Sequence, residues 1–233
     1  MFIQVDETIQ EKLPNFTLIL TVLDNVTITL SKYSLFKRYV ELVKKDIKKE
    51  LTGKRLRNHP IIRAYRDFYW HYLKIDPTKI RPSGEALARR LLRDKEFPKL
   101  VNLVDAYNLA SAKTFISFGA YDYNKLRFPL YFSFAQKDMP FIGIGMREPK
   151  YLKGTELLLM DQEGVINVYP YRDANRTKIT GATKKVLLIT AGVPNLEDNT
   201  LLKATQTALR YIKKFVPDVI THEPQIVHIK EKN

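Results

Sequence analysis

Three short segments of this chain set polar side chains inside otherwise apolar stretches. They hold Asn102, Asp105 and Asn108; then Gly119, Tyr121 and Asp122; then Asp173, Arg176, Lys178 and Thr180. On a helix, Asn102, Asp105 and Asn108 share one face, because spacings of three bring side chains together. A polar cluster on a face that would otherwise be buried needs partners or a ligand. Each segment also has a bland reading. Asn102, Asp105 and Asn108 either brace neighbouring loops or contact a ligand. Asp122 either caps a turn or faces a site. Residues 172–178 form either an ion-pair loop or one wall of a pocket. The joint occurrence of the three segments favours a pocket between the helix and two loops. Asn102, Asp105, Asn108, Gly119, Tyr121, Arg176 and Thr180 are the candidate substrate contacts.

Other chemistries lack their residues. The chain has no cysteine, so disulfides, thiolate ligands and a cysteine nucleophile are excluded. His59, His71, His222 and His228 show no zinc-site spacing, and His71, among Phe68, Tyr69, Trp70 and Tyr72, reads as structural. Gly143-Ile144-Gly145 lacks the third glycine and helix start of a dinucleotide loop. Neither Ser111 nor Ser117 sits in a nucleophile elbow. No metal and no cofactor is expected.

The charge is regional. The 233 residues carry a net +14. Residues 36–100 hold 19 bases and 8 acids, a net +11, whereas residues 1–35 are slightly acidic. Such a field attracts polyanions, and nucleic acid is the expected partner. An anionic membrane surface is the weaker option, since no lipidation motif is present. Solvated helix faces are the bland alternative. Arg81, Arg89, Arg90 and Arg93 are the candidate RNA contacts, while most aromatics interleaved with cations at helical spacing are expected in the core. No apolar run approaches the roughly 20 residues needed to span a bilayer. The amino terminus has no signal-like core, so a cytoplasmic protein is expected.

The periodicity of residues 16–23 predicts a strand, continued by 26–30. Helices are predicted over 35–51, over 58–73 with Asn58 as N-cap, over 84–92 with Ser83 as N-cap, over 100–112 and over 198–215. Strands are predicted over 130–135, 156–160, 165–169 and 185–191, with a hairpin turn at 161–164. Beyond Pro217 an extended tail is expected. Helices dominate the first half and strands the middle, so the class is α+β rather than a regular βαβ repeat.

Taken together, residues 58–215 resemble the tRNA-editing (B-three/B-four) domain of the phenylalanyl-tRNA synthetase beta subunit, and more closely its freestanding relatives. The resemblance is carried by Asn58-His59-Pro60-Ile61 with Arg63 and Arg66, and by Asp76-Pro77-Thr78-Lys79 with residues 81–87. It continues through residues 102–108, Gly119-Ala120-Tyr121-Asp122 and residues 173–180. It implies a three-layer β/β/α sandwich over residues 53–217, preceded by a strand and basic helix in 1–52 and followed by a tail in 218–233. It also implies a pocket that admits the aminoacyl end of mischarged tRNA. The implied function is a tRNA-binding protein acting in trans as an aminoacyl-tRNA deacylase, whose metal-free ester hydrolysis would depend on oriented water and on donors around the carbonyl oxygen. In that reading Asp122 or Asp173 would orient the water, and Lys178, Arg176 and backbone amides near Gly119 are the candidate donors, with Asp122, Asp173 and Lys178 as the catalytic residues. The alternatives are a non-catalytic RNA-binding module or a small-molecule binder reusing the pocket. The synthetase has a histidine where this chain has Gly119 and a glutamate where it has Lys178. That difference implies a specificity other than tyrosyl, with the space beside Gly119 open to a differently shaped group.

Overall fold

The computed structural model describes residues 3–53 and 55–229. In chain order its first half contains β1 (Ile3–Val5), α1 (Glu7–Lys12), β2 (Phe16–Asp24), α2 (Tyr33–Glu50), α3 (Pro60–Asp67), α4 (Ser83–Leu92) and α5 (Asn102–Thr114). There follow β3 (Ser117–Asp122), β4 (Leu130–Phe134), β5 (Lys137–Phe141), β6 (Lys150–Lys153), β7 (Leu157–Asp161), β8 (Gly164–Val168) and β9 (Arg172–Asp173). The last elements are β10 (Val186–Ala191), α6 (Asp198–Phe215), β11 (Ile220–Thr221) and β12 (Gln225–Ile229).

These form a three-layer α+β sandwich. The outer sheet runs β1-β4-β7-β8-β9, and the central sheet runs β11-β2-β10-β3 with β12 also on β2. A strand covered on both faces reads as a continuous apolar run rather than an alternating one. β10, Val-Leu-Leu-Ile-Thr-Ala, is buried at every position, and its side chains serve two cores in turn. Leu187 and Ile189 face Phe132, Leu157, Leu159 and Ile166 of the outer sheet. Val186 and Leu188 face Val43, Ile47, Leu103, Ala106, Ala208 and Ile212 of the helical layer. β3 alternates likewise, with Tyr121 in the first core and Ala120 in the second.

The amino-terminal elements are part of these layers. β2 lies between β10 and the β11/β12 pair, and β1 adds in parallel to β4. α2 buries Phe36, Val43 and Ile47 and turns its lysines outward.

Several local expectations are corrected by non-local partners. Residues 26–30 are loop, not strand, because α5 satisfies their backbone. The Asn102 side chain accepts from Thr29 N at 3.1 Å and donates to the Thr27 carbonyl at 2.8 Å, while Asn102 N donates to the Thr29 carbonyl at 2.8 Å. The helix expected over 58–73 is divided. Asn58 belongs to a preceding 3₁₀ turn, His59 holds the cap position before Pro60, and Phe68–Tyr72 form a π turn closed by Leu73 N on the Phe68 carbonyl. Ser83 is the first helical residue of α4, with Pro82 at the cap and no side-chain cap bond. The segment around Gly119 is an edge strand rather than a loop. Residues after Pro217 add β11 and β12 instead of trailing as a tail.

Gly84 sets how closely α4 approaches the α5–β3 junction. A Cβ there would stand 2.4 Å from the Phe115 carbonyl carbon and oxygen. Backbone cannot move aside as a flexible side chain can. Gly84→Ala should therefore lower stability by about 1–3 kcal/mol, the usual cost of overpacking, despite alanine's better helix propensity. Urea unfolding of the two proteins measures this; an unchanged or raised midpoint would contradict the packing described.

Candidate functional site

β3 and β9 are edge strands of the central and outer sheets. A cavity of about 430 Å³ lies where these edges meet the helical layer. α5 contributes Val104, Tyr107 and Asn108, β3 contributes residues 118–121, and the outer sheet contributes Leu159 and Asn167. Residues 169–171, Ile189 and Ala191 complete the inner wall. Leu100 and Ile144 line it while remaining 53% and 43% exposed, which gives the opening an apolar rim. Asp173 and Lys178 are the charged side chains among the lining residues.

Asp173 organises the polar part of the wall. Its Oδ1 accepts from the Tyr121 hydroxyl at 2.7 Å and from Asn167 Nδ2 at 2.7 Å. Among the described residues no donor reaches its second oxygen. Burial raises the Asp173 carboxyl above the ordinary carboxylate range, against the opposing pull of Tyr121, Asn167 and Arg172. Burial, and then the field of Asp173, raises the phenols of Tyr107 and Tyr121, so both remain protonated donors near neutrality. Lys178 is half-buried, and its Nζ donates to Asn175 Oδ1 at 2.9 Å. An ammonium has three donors, so two are left for a ligand. Among the described residues no three His, Asp or Glu side chains converge as a metal-binding group.

Of the polar residues singled out from the sequence, Asn108, Gly119, Tyr121, Asp173 and Lys178 line this cavity. The others are placed elsewhere. Asn102 and the fully buried Asp105 brace loops: Asp105 accepts from Ser31 Oγ at 2.6 Å and from Leu100 N at 2.7 Å. Asp122 points to the opposite face of β3 from Tyr121, where it accepts from Thr183 Oγ1 at 2.7 Å and from Asn124 N at 3.2 Å. Arg176 pairs with Asp161 and donates to the Gly164 carbonyl at 3.0 Å, tying down the β7–β8 turn. Thr180 N donates to Thr183 Oγ1 at 3.0 Å. The space beside Gly119 is not open: a Cβ there would lie 2.5 Å from the Tyr121 hydroxyl oxygen. Glycine at 119 makes room for the phenol that reaches Asp173.

Arg81, Arg90 and Arg93 are exposed, and Arg90 Nε donates to the Glu96 carbonyl at 2.9 Å. Arg89 is half-buried and spends its charge on Glu85, 2.7 Å away, which also takes Arg66 at 3.1 Å. Glu85 is completely buried, so this pair of arginines neutralises an interior carboxylate. Sequence reasoning missed Tyr107, Asn167, Tyr169 and Tyr171. Asn167 carried a signal, being a lone polar residue in the apolar run Val-Ile-Asn-Val.

A model of the B3/4 domain family matches residues 64–222, more than half of the chain. The chain belongs to the B3/4 domain family. It is 24% identical over 147 residues to a protein of Vairimorpha ceranae (strain BRL01) named "Probable phenylalanine--tRNA ligase beta subunit". That match takes in 54% of this chain and 29% of the ligase subunit, so this B3/4 chain spans under a third of that relative. An N-terminal fragment of the phenylalanyl-tRNA synthetase beta subunit from Pyrococcus horikoshii superposes with a TM-score of 0.47 and 15% identity. The superposition covers 94% of this chain and 49% of that one. Among the described residues no helix is long and apolar enough to cross a membrane.

The raised Asp173 carboxyl has a consequence for stability. A carboxyl whose folded pKa lies above its unfolded value opposes folding once ionised, so stability falls as pH rises through that window. Asp173→Asn keeps an acceptor for Tyr121 and Asn167 without the charge. The variant should melt above the native protein at about pH 7. The gap should close as pH falls toward the ordinary aspartate range, where the native carboxyl is neutral as well. Calorimetric melts across that range measure it, and a variant that melts lower near neutrality would contradict the raised proton affinity.

Proposed function

We propose that this B3/4 domain binds tRNA, takes the aminoacyl end into the cavity beside Asp173, and hydrolyses the ester in trans. The observation that carries this reading is the pairing of Asp173 and Lys178 on the wall of one largely apolar cavity. An aminoacyl ester has the matching parts: an apolar or aromatic side chain, a cationic α-ammonium and an electrophilic carbonyl. The aromatic and aliphatic walls suit the first of these. A volume of about 430 Å³ falls within the usual range for small-ligand sites, about 300–1,000 Å³.

Asp173 has one oxygen held by Tyr121 and Asn167 and the other open. Its raised proton affinity makes it a better base than an ordinary aspartate. In the proposed step a water attacks the carbonyl carbon while Asp173 takes its proton. The carbonyl oxygen becomes an oxyanion that accepts from Lys178. Collapse breaks the bond to the ribose oxygen, which leaves with the proton from Asp173, and the free amino acid and intact tRNA depart. The likeness to the Vairimorpha protein, named as a tRNA ligase subunit, supports tRNA as the partner class. The basic excess of residues 36–100 supports it independently.

Single-turnover assays on a panel of correctly and wrongly charged tRNAs test the proposal. Asp173→Asn and Lys178→Ala should each lower the hydrolysis rate by roughly a hundredfold or more, the scale of a lost base or oxyanion donor. Affinity for the same tRNA should change far less, as for groups acting on the transition state. The rate should also fall as pH drops through the raised Asp173 value, since the base must be ionised. If no member of the panel is hydrolysed although tRNA binds, the non-catalytic binding reading replaces this one.

A further inference from the structure

A second cavity, of about 390 Å³, backs onto the first. Tyr169 and Tyr171 line both, so the two are neighbours. Its rim carries Lys74 and Lys79, from the chain that follows the π turn, and Lys150 and Lys153 from β6. All four are exposed, and among the described residues none of their ammonium groups is held in an ion pair or hydrogen bond. Two carboxylates face the same cavity, Asp76 and Glu156. Asp76 is engaged by Thr78, whose N and Oγ1 donate at 2.8 and 2.6 Å. These bonds, and then the field of Lys79, hold its carboxyl below the usual range. Glu156 accepts from Lys153 N at 2.9 Å and from Thr155 N at 3.2 Å. Four lysines against these two carboxylates leave the groove with a surplus of positive charge.

Clustered cations repel one another and create a local positive potential. Lysine meets phosphate as a point charge and needs no fixed fork geometry. Here the cations converge from two distant parts of the chain on one concavity with apolar walls at Ile75, Leu157 and Tyr171. We propose that this groove binds the phosphodiester backbone of a single-stranded RNA end, holding the nucleotides that precede the one delivered to the neighbouring cavity. The choice of RNA rests on the tRNA reading above: the cavities share Tyr169 and Tyr171, so a strand whose end enters the first has its next phosphates close to these lysines. The surface is distinct from the arginines of α4. Lys150 and Lys153 also lie outside the basic segment 36–100.

The test is fluorescence anisotropy with a short labelled single-stranded RNA, over a series of salt concentrations, with calorimetric titration of inorganic pyrophosphate alongside. The native protein is compared with the Lys74→Ala/Lys79→Ala/Lys150→Ala/Lys153→Ala variant and with the same four positions changed to Arg. Exposed, unpaired lysines are dispensable to the fold, so both variants should melt like the native protein. The alanine variant should bind the RNA at least about tenfold more weakly, and its log–log salt slope should shrink by about 0.7 for each phosphate no longer neutralised. The arginine variant should bind like the native protein. Unchanged affinity and slope in the alanine variant, while the native protein binds RNA, would overturn the groove and leave the tRNA reading standing. No RNA binding by the native protein would overturn both. An alanine variant that loses pyrophosphate binding but keeps RNA binding would overturn RNA as the occupant in favour of a small phosphate ligand.

Discussion

The bond from the Tyr121 hydroxyl to Asp173 joins the last strand of one sheet to the last strand of the other. Everything distinctive about the site depends on that tie. β3 and β9 are the last strands of their sheets, and short backbone contacts follow them: Ile144 N donates to the Asp173 carbonyl at 2.9 Å, and Asp122 N to the Thr177 carbonyl at 2.9 Å. Here a phenol from the central sheet and the Asn167 amide from the outer sheet meet on one carboxylate oxygen. The reach across the gap is possible because position 119, two residues from Tyr121 on the same face of β3, has no side chain. The layers are thus held at a fixed separation, and a lined cavity remains at the seam.

The tie also sets the chemistry. A carboxylate kept among aromatic rings is costly to ionise, and burial dominates its raised proton affinity. A fold selected only for stability would place an amide or an apolar side chain there, because a buried charge without a full partner opposes folding. A site that trades stability for a reactive group is the common pattern at functional centres. Glu85 is the instructive contrast. It is buried more completely than Asp173, but two arginines neutralise it, and it anchors α4 without facing the cavity.

Much of the architecture was legible because it rests on local pattern. The apolar runs of β2 and β10, broken mainly by threonines, mark strands covered on both faces, and α6 follows its helical periodicity over residues 198–215. What escaped was set by partners far away in sequence. Residues 26–30 have strand-like composition, yet Asn102 captures their backbone. β12 reads as a tail until β2 is there to pair with it. The site was legible to the same degree. Parts of the three segments picked out by spacing line one cavity, but spacing could not say which side of an element a polar group faces. Asp122 and Tyr121 are adjacent and point to opposite faces of β3, and Asn102 and Asn108 lie on one helix with different neighbours. Asp173 and Tyr121 face each other only because two sheets are stacked.

The central claim is that Asp173 meets the aminoacyl group inside this cavity. The most direct measurement is a carbon-detected NMR titration of the labelled protein with a non-hydrolysable aminoacyl-adenosine amide. The account predicts a saturable shift of the Asp173 side-chain carboxyl resonance and of the Asn167 side-chain amide. Asp105, Asp122 and Asp161, buried with structural partners, should stay fixed. Binding that leaves the Asp173 and Asn167 signals unmoved while perturbing residues elsewhere would contradict it.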